Sequence, residues 1–121
     1  MRFLIVYCRE AHAMDSWLPM AFGNIEDPIS NEERDRMATF CSRELGLTIP
    51  AVVDGIDDAV ARDYSGWPER LYLIGRDGKV VYRGGPGPFG FDPDGFEAAL
   101  REHLGLTGHL GLNGHLGLTG Q

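Results

Sequence analysis

No apolar run in this 121-residue chain is longer than six residues, no Lys or Arg cluster is longer than a pair, and no charge follows Glu102. The first absence leaves no candidate for a membrane-spanning helix or for the apolar core of a signal peptide. The expectation is a soluble, cytoplasmic chain with no membrane partner. The second, together with a net charge of −7, argues against nucleic acid and anionic lipid, because phosphate binding is carried by neutralising Lys and Arg. Cysteine is scarce as well. Cys8 and Cys41 have neither C-x-x-C nor zinc-ligand spacing, and a cytosolic chain is not expected to carry a structural disulfide.

The uncharged end reads HLGLTG, HLGLNG, HLGLTG from His103, three copies of a six-residue unit. A Gly-rich tract loses much backbone entropy on ordering and has few large side chains to offset it. The expected organisation is one domain over residues 1–104 and a low-complexity hexapeptide-repeat tail over 105–121. His103, His109 and His115 recur every six residues, but imidazoles without Cys or carboxylate partners are poor evidence for a metal, and none is expected.

Within the domain, Phe3–Tyr7 is a continuous apolar run, the pattern of a strand buried on both faces as in parallel sheets. Residues 15–29 read as a long loop, with Pro19, Gly23 and Pro28. Ser30-Asn31-Glu32-Glu33 has the form of a capping box, after which Met37, Phe40, Cys41 and Leu45 fall on one helical face and Gly46 stops the helix. Ile49–Asp54 predicts a second strand. Asp57 is the expected N-cap of a short helix pairing Val60 with Tyr64, broken by Gly66-Trp67-Pro68. Leu71–Ile74 and Val80–Arg83 predict a hairpin around Asp77-Gly78, and Asp92-Pro93 starts a last helix with Phe96, Leu100 and Leu104 at four-residue spacing. The order is that of an α/β protein.

Several motifs have plain readings. GPGPFG, residues 85–90, fits G-x-G-x-x-G, yet Pro86 and Pro88 delete amides a pyrophosphate would need and no acidic residue lies about 20 positions on, so a rigid turn is expected. Asp92-Pro93-Asp94-Gly95 has its glycine at the wrong place for a calcium loop and reads as a helix cap. Cys8 sits at the carboxyl end of a strand, where open α/β sheets place their chemistry, but a buried spectator thiol is the simpler reading. Glu10 and His12 are two apart on an extended backbone and point to one side, so a carboxylate can orient an imidazole for acid/base work; a surface Glu with a satisfied His is the bland alternative.

FLIVYCREAHAMDSW, residues 3–17, resembles the block of the iodothyronine deiodinase family that runs apolar strand, Glu-Ala-His, a spacer with Asp, then Trp. The stretch VVDGIDDAVARDYSGWPERLYLIGRDGKVVYRGGPGPFGFDP is similar to the second half of that family, and the likeness covers residues 2 to about 103. It implies a thioredoxin-like, peroxiredoxin-related sheet with flanking helices. It also implies reductive removal of iodine by attack of a selenolate or thiolate on the halogen, with a thiol reductant as co-substrate and no bound cofactor. Glu10, His12 and Trp17 match the family's Glu, His and Trp near the active site, and Arg70, with Glu69 in Pro-Glu-Arg, matches its functional arginine.

The implied roles are proton delivery or substrate holding for His12, orientation of that imidazole by Glu10, contact with an anionic group for Arg70, and ring packing for Trp17. Cys8 stands where the family has an apolar residue and inherits no role. Residues 18–33 lack the second histidine of hormone-processing members, so a halogenated aromatic or a peroxide is the expected small-molecule substrate class. The strand and helix that carry the family's nucleophile precede the Glu-Ala-His block, so the expectation is a fold without that N-terminal unit. The second hypothesis is a non-catalytic thioredoxin-like module that binds a partner, or a second copy of itself, through the open strand edges at 3–7 and 71–74.

Overall fold

A computed structural model describes residues 1–11, 13 and 25–106. They form β1 (Ile5–Tyr7), α1 (Asn31–Glu44), β2 (Ala51–Val53), α2 (Ala59–Asp63), β3 (Tyr72–Ile74), β4 (Val80–Arg83) and α3 (Pro93–Leu104), a mixed α/β chain with two small sheets. Two compact units divide at Pro68 and Glu69. Among the described residues no helix is long and apolar enough to cross a membrane. Most of the expected loop at 15–29, and the repeats beyond Leu106, lie outside the described residues.

In the first unit β1 and β2 pair in parallel, Ile5 with Ala51, Val6 with Val52 and Tyr7 with Val53. Bonds from Ile5 N to Pro50 O at 2.9 Å and from Asp54 N to Tyr7 O at 2.8 Å extend the ladder at both ends. Helix α1 packs against β2. The expectation that the first strand is buried on both faces is not met. Leu4 is 60 % exposed, Val6 39 % and Val52 47 %; these three share one face, and α1 covers only one side of a two-stranded ladder.

Helix α1 starts as its sequence directs. Ser30 Oγ accepts from Glu33 N at 3.2 Å, while Glu33 Oε2 reaches back to Ile29 N at 3.0 Å, one residue earlier than the usual capping box. It ends on a Schellman motif, with Gly46 at φ 61° and bonds from Gly46 N to Arg43 O and Leu47 N to Ser42 O. The inward face differs from the expected one. Arg34 and Ala38 are buried, Met37 and Cys41 are half-buried, and Phe40 and Leu45 lie exposed. The stripe is therefore 34-37-38-41, because Arg34 finds partners inside and takes the place that periodicity gave to Phe40.

Helix α2 also corrects the sequence reading. Its N-cap is Asp58, in the left-handed region at φ 56° and without a side-chain cap bond, not Asp57. The capping acceptor is Asp54, whose Oδ1 and Oδ2 receive Val60 N at 3.1 Å and Ala61 N at 2.8 Å. Val60 and Tyr64 are both exposed.

In the second unit β3 and β4 pair antiparallel, Leu73 opposite Tyr82, with an irregularity between Leu73 and Ile74. The turn is a three-residue loop rather than a two-residue one. Gly75 N donates to Lys79 O, Gly78 N to Gly75 O, and Gly78 takes φ 78°, a conformation glycine adopts at no steric cost. Asp92 caps α3 by accepting from Gly95 N at 3.0 Å, Pro93 follows it, and Gly105 closes the helix at φ 65°. Leu71, Leu73, Phe96 and Leu100 are buried and form the core here. The Tyr82 and Phe96 rings meet edge to face at 5.9 Å.

Candidate functional site

Of the five residues singled out from the sequence, Glu10, Glu69 and Arg70 are described, whereas His12 and Trp17 lie outside the described residues. Glu10 follows β1, where the chain bends at Arg9 and an ion pair from Arg9 Nε to Asp27 Oδ2 at 2.7 Å ties the segment down. The Glu10 carboxylate lies close enough to α1 to act on Cys41. Burial pushes the Cys41 thiol above its ordinary value, and the Glu10 charge adds to that shift. Glu10 belongs to the first unit, Glu69 and Arg70 to the second.

Glu69 and Arg70 are half-buried and lead into the buried Leu71. Glu69 O accepts from Gly87 N at 2.9 Å, and its carboxylate lies against the Gly87 Cα, where any added Cβ would collide with it. Position 87 must therefore be glycine while Glu69 holds this pose. The turn at 85–90 is further closed by a bond from Gly90 N to Pro86 O at 2.9 Å, with the Gly85 and Gly90 backbones in contact. The Gly87 and Gly90 amides are thus both committed to carbonyls of the protein, in line with the rigid-turn reading.

Sequence reasoning missed a buried ionic cluster at the carboxyl ends of β1 and β2. Arg34, 1 % exposed, donates from one guanidinium nitrogen to Gly55 O at 2.6 Å and lies 2.8 Å from Asp58 Oδ1. Asn31 Oδ1 accepts from Ile56 N at 2.8 Å, so the same helix holds the turn after β2 at two points. The only hint in the sequence is the density of Asp at 54, 57 and 58 opposite an Arg on a helix. Cys8 faces this cluster. Its thiol is pushed above the ordinary value first by burial and then by Asp54, with Asp58 adding and Arg34 opposing. The thiolate, which is the nucleophilic form, is disfavoured there.

The described residues hold no group of three or more His, Cys, Asp or Glu that could bind a metal. What they present is a carboxylate after a parallel strand, a carboxylate and a guanidinium ahead of an antiparallel hairpin, and two free thiols, neither activated. This is a mixed α/β protein in which neither described thiol is activated.

Comparison with known proteins gives the class a family. The iodothyronine deiodinase profile matches residues 1–104. The chain is 35 % identical over 92 residues to a type I iodothyronine deiodinase of Xenopus laevis, covering 76 % of this chain and 36 % of that protein. It is 39 % identical over 90 residues to a thyroxine 5-deiodinase of Gallus gallus, covering 74 % and 34 %, and 40 % identical over 92 residues to a type II iodothyronine deiodinase of Petromyzon marinus, covering 72 % and 31 %. The chain belongs to the iodothyronine deiodinase family. It spans about a third of the length of these curated relatives.

Proposed function

We propose that this chain is the substrate-orienting part of a deiodinase-type oxidoreductase of thioredoxin-like fold, acting on a small halogenated aromatic, with a peroxide as the alternative substrate. The observation that carries the reading is the family match over residues 1–104. A parallel strand pair and a helix-backed antiparallel hairpin are elements of the kind such a fold uses.

Reductive dehalogenation of an aryl iodide needs a soft nucleophile on iodine, a proton for the carbon that iodine leaves, and two electrons from a thiol reductant to release iodide. His12 is assigned the proton and Glu10 the orientation of its imidazole. Arg70, with Glu69 beside it, is assigned the polar end of the substrate, and Trp17 its ring. Neither thiol is assigned the attack, because burial and neighbouring carboxylates hold both in the protonated form. The selenolate or thiolate is assigned to a segment outside residues 1–104. A second reading, a non-catalytic module that binds through its sheet, is favoured by the exposed apolar face of Leu4, Val6 and Val52.

The test is iodide release from an iodinated phenol with dithiothreitol, by the 121-residue chain and by the reading frame extended through the codons upstream of Met1. Turnover is expected only in the extended protein, with kcat/KM lowered at least about tenfold in Glu10→Gln and in Arg70→Ala. No turnover in either form, or turnover indifferent to both substitutions, would leave the binding-module reading in possession.

A further inference from the structure

We propose that Phe89 is a specificity-determining residue that holds the aromatic ring of the substrate while Arg70 takes an anionic group on it. The inference rests on the proposed deiodinase-type function and narrows it, since an aromatic platform selects an aryl halide and offers nothing to a peroxide.

Phe89 is fully exposed, and a lone exposed apolar side chain is by itself ordinary. What sets this one apart is the backbone under it. Gly87 N donates to Glu69 O at 2.9 Å, Gly90 N to Pro86 O at 2.9 Å and Phe91 N to Pro88 O at 3.4 Å. The Gly85 and Gly90 backbones touch, and the Glu69 carboxylate lies against the Gly87 Cα. Pro86 and Pro88 fix two further φ angles. A ring carried on so constrained a turn costs little further backbone entropy when a ligand covers it, which is the condition for a preorganised contact. The Tyr82 and Phe96 rings, by contrast, pack against each other.

The same clamp brings the turn to Arg70. Glu69 O is bonded to Gly87 N, and two residues on, Leu71 O accepts from Gly84 N at 2.8 Å. Arg70 therefore lies between two cross-links to the segment that carries Phe89. Counted along the path through the Glu69–Gly87 bond, the Phe89 Cα is no more than roughly 14 Å from the Arg70 Cα. A single iodinated ring with an anionic substituent can span between an aromatic and a guanidinium side chain rooted at that separation. Ring-on-ring contact adds to ordinary apolar burial. The proposal therefore has a signature: a preference for an aromatic carboxylate over a saturated one, carried by Phe89, on an affinity for the carboxylate carried by Arg70.

The experiment is NMR titration of the isotopically labelled 121-residue chain with para-iodobenzoate and with cyclohexanecarboxylate, beside Phe89→Ala, Phe89→Trp and Arg70→Ala. The parent is expected to bind para-iodobenzoate with a dissociation constant on the order of 1 mM, with shifts at the Gly87, Phe89 and Gly90 amides, and at least about tenfold tighter than cyclohexanecarboxylate. Phe89→Ala should abolish that preference, Phe89→Trp should keep it, and Arg70→Ala should weaken both ligands. Because Phe89 is fully exposed, its variants should otherwise keep the amide spectrum of the parent. No shift at those amides by about 10 mM para-iodobenzoate, a preference that survives in Phe89→Ala, or indifference of both ligands to Arg70→Ala would overturn the inference. Binding is read here without turnover. A failure to release iodide would therefore leave a positive result standing, and a failure to bind would leave the family membership standing.

Discussion

Removing the Arg34 guanidinium should be among the most damaging single changes in the first unit. Among its described residues the buried apolar side chains are only Ala13, Pro28 and Ala38, whereas Arg34 and Asp54 are buried charges. Arg34→Met keeps most of the aliphatic volume and deletes the charged bond to Gly55 O at 2.6 Å, a contact of a kind worth about 1.5–3 kcal/mol. It also leaves Asp58 without the cation 2.8 Å away. Because the Asp58 side chain is 34 % exposed, water can solvate it, and this part falls below the roughly 3–5 kcal/mol of a fully buried broken pair. The expected total is about 2–4 kcal/mol, a fall in the thermal midpoint of roughly 10–20 °C for a domain of this size. Urea unfolding followed by circular dichroism measures it. A double-mutant cycle with Asp58→Ala separates the ion pair from the carbonyl contact, and the double mutant should lie within about 0.5 kcal/mol of Arg34→Met. If Arg34→Met unfolds within about 0.5 kcal/mol of the parent, the clamp on the β2–α2 turn does not stabilise the unit and the argument fails.

Asp54→Asn keeps one of the two acceptors used by Val60 N and Ala61 N, so a loss of about 1 kcal/mol with faster exchange at those two amides is expected. Gly87→Ala places a methyl on the Glu69 carboxylate; overpacking of this kind costs roughly 1–3 kcal/mol, and adding Glu69→Ala should recover a good part of it, a coupling that calorimetry on the three variants would detect. For Cys8 the folded-state pKa lies above the ordinary thiol value of 9.0. The folded chain therefore holds that proton longer than the unfolded one, so its stabilising contribution is complete below about pH 9 and is lost as pH rises through the folded-state value. Cys8→Ser should flatten the alkaline side of the stability profile, and iodoacetamide should label Cys8 in the folded parent more slowly than an unfolded control at pH 8.

The parts legible in the sequence are those governed by neighbours a few residues away. Ser30 with Glu33, Asp92 with Pro93, and the glycines at 46, 78 and 105 act locally, and each takes the place its chemistry requires. The misreadings turn on partners beyond the nearest few residues. Arg34 reads as a solvent-facing charge because Gly55 and Asp58 lie more than 20 residues away, and Asp57 reads as the cap of α2 because Asp54, at the end of a strand, is the acceptor in space. A continuous apolar run likewise says that a strand can be covered on both faces, not that it is. The candidate site was nameable only through the Glu-Ala-His and Pro-Glu-Arg blocks. On composition Glu10, Glu69 and Arg70 are ordinary surface charges.

The ionic cluster and the absence of an activated thiol among the described residues are two aspects of one arrangement. A cysteine at the carboxyl end of a parallel strand, with an arginine in its field, has two ingredients of a reactive thiolate. Here the arginine is already committed to Gly55 O and Asp58, and Asp54 is fixed beside it by its bonds to α2. Two carboxylates and burial therefore outweigh one guanidinium at Cys8. Breaking the Arg34 clamp does not reverse this balance, since it removes the larger of the two influences that lower the thiol pKa, the other being a backbone hydrogen bond from Arg9. Removing Asp54 would relieve the larger of the two carboxylate influences but not the burial that comes first, and that change also uncaps α2. The residue that caps α2 thus adds to the burial that keeps the thiol protonated, which is why the attacking group of any dehalogenation is sought away from Cys8.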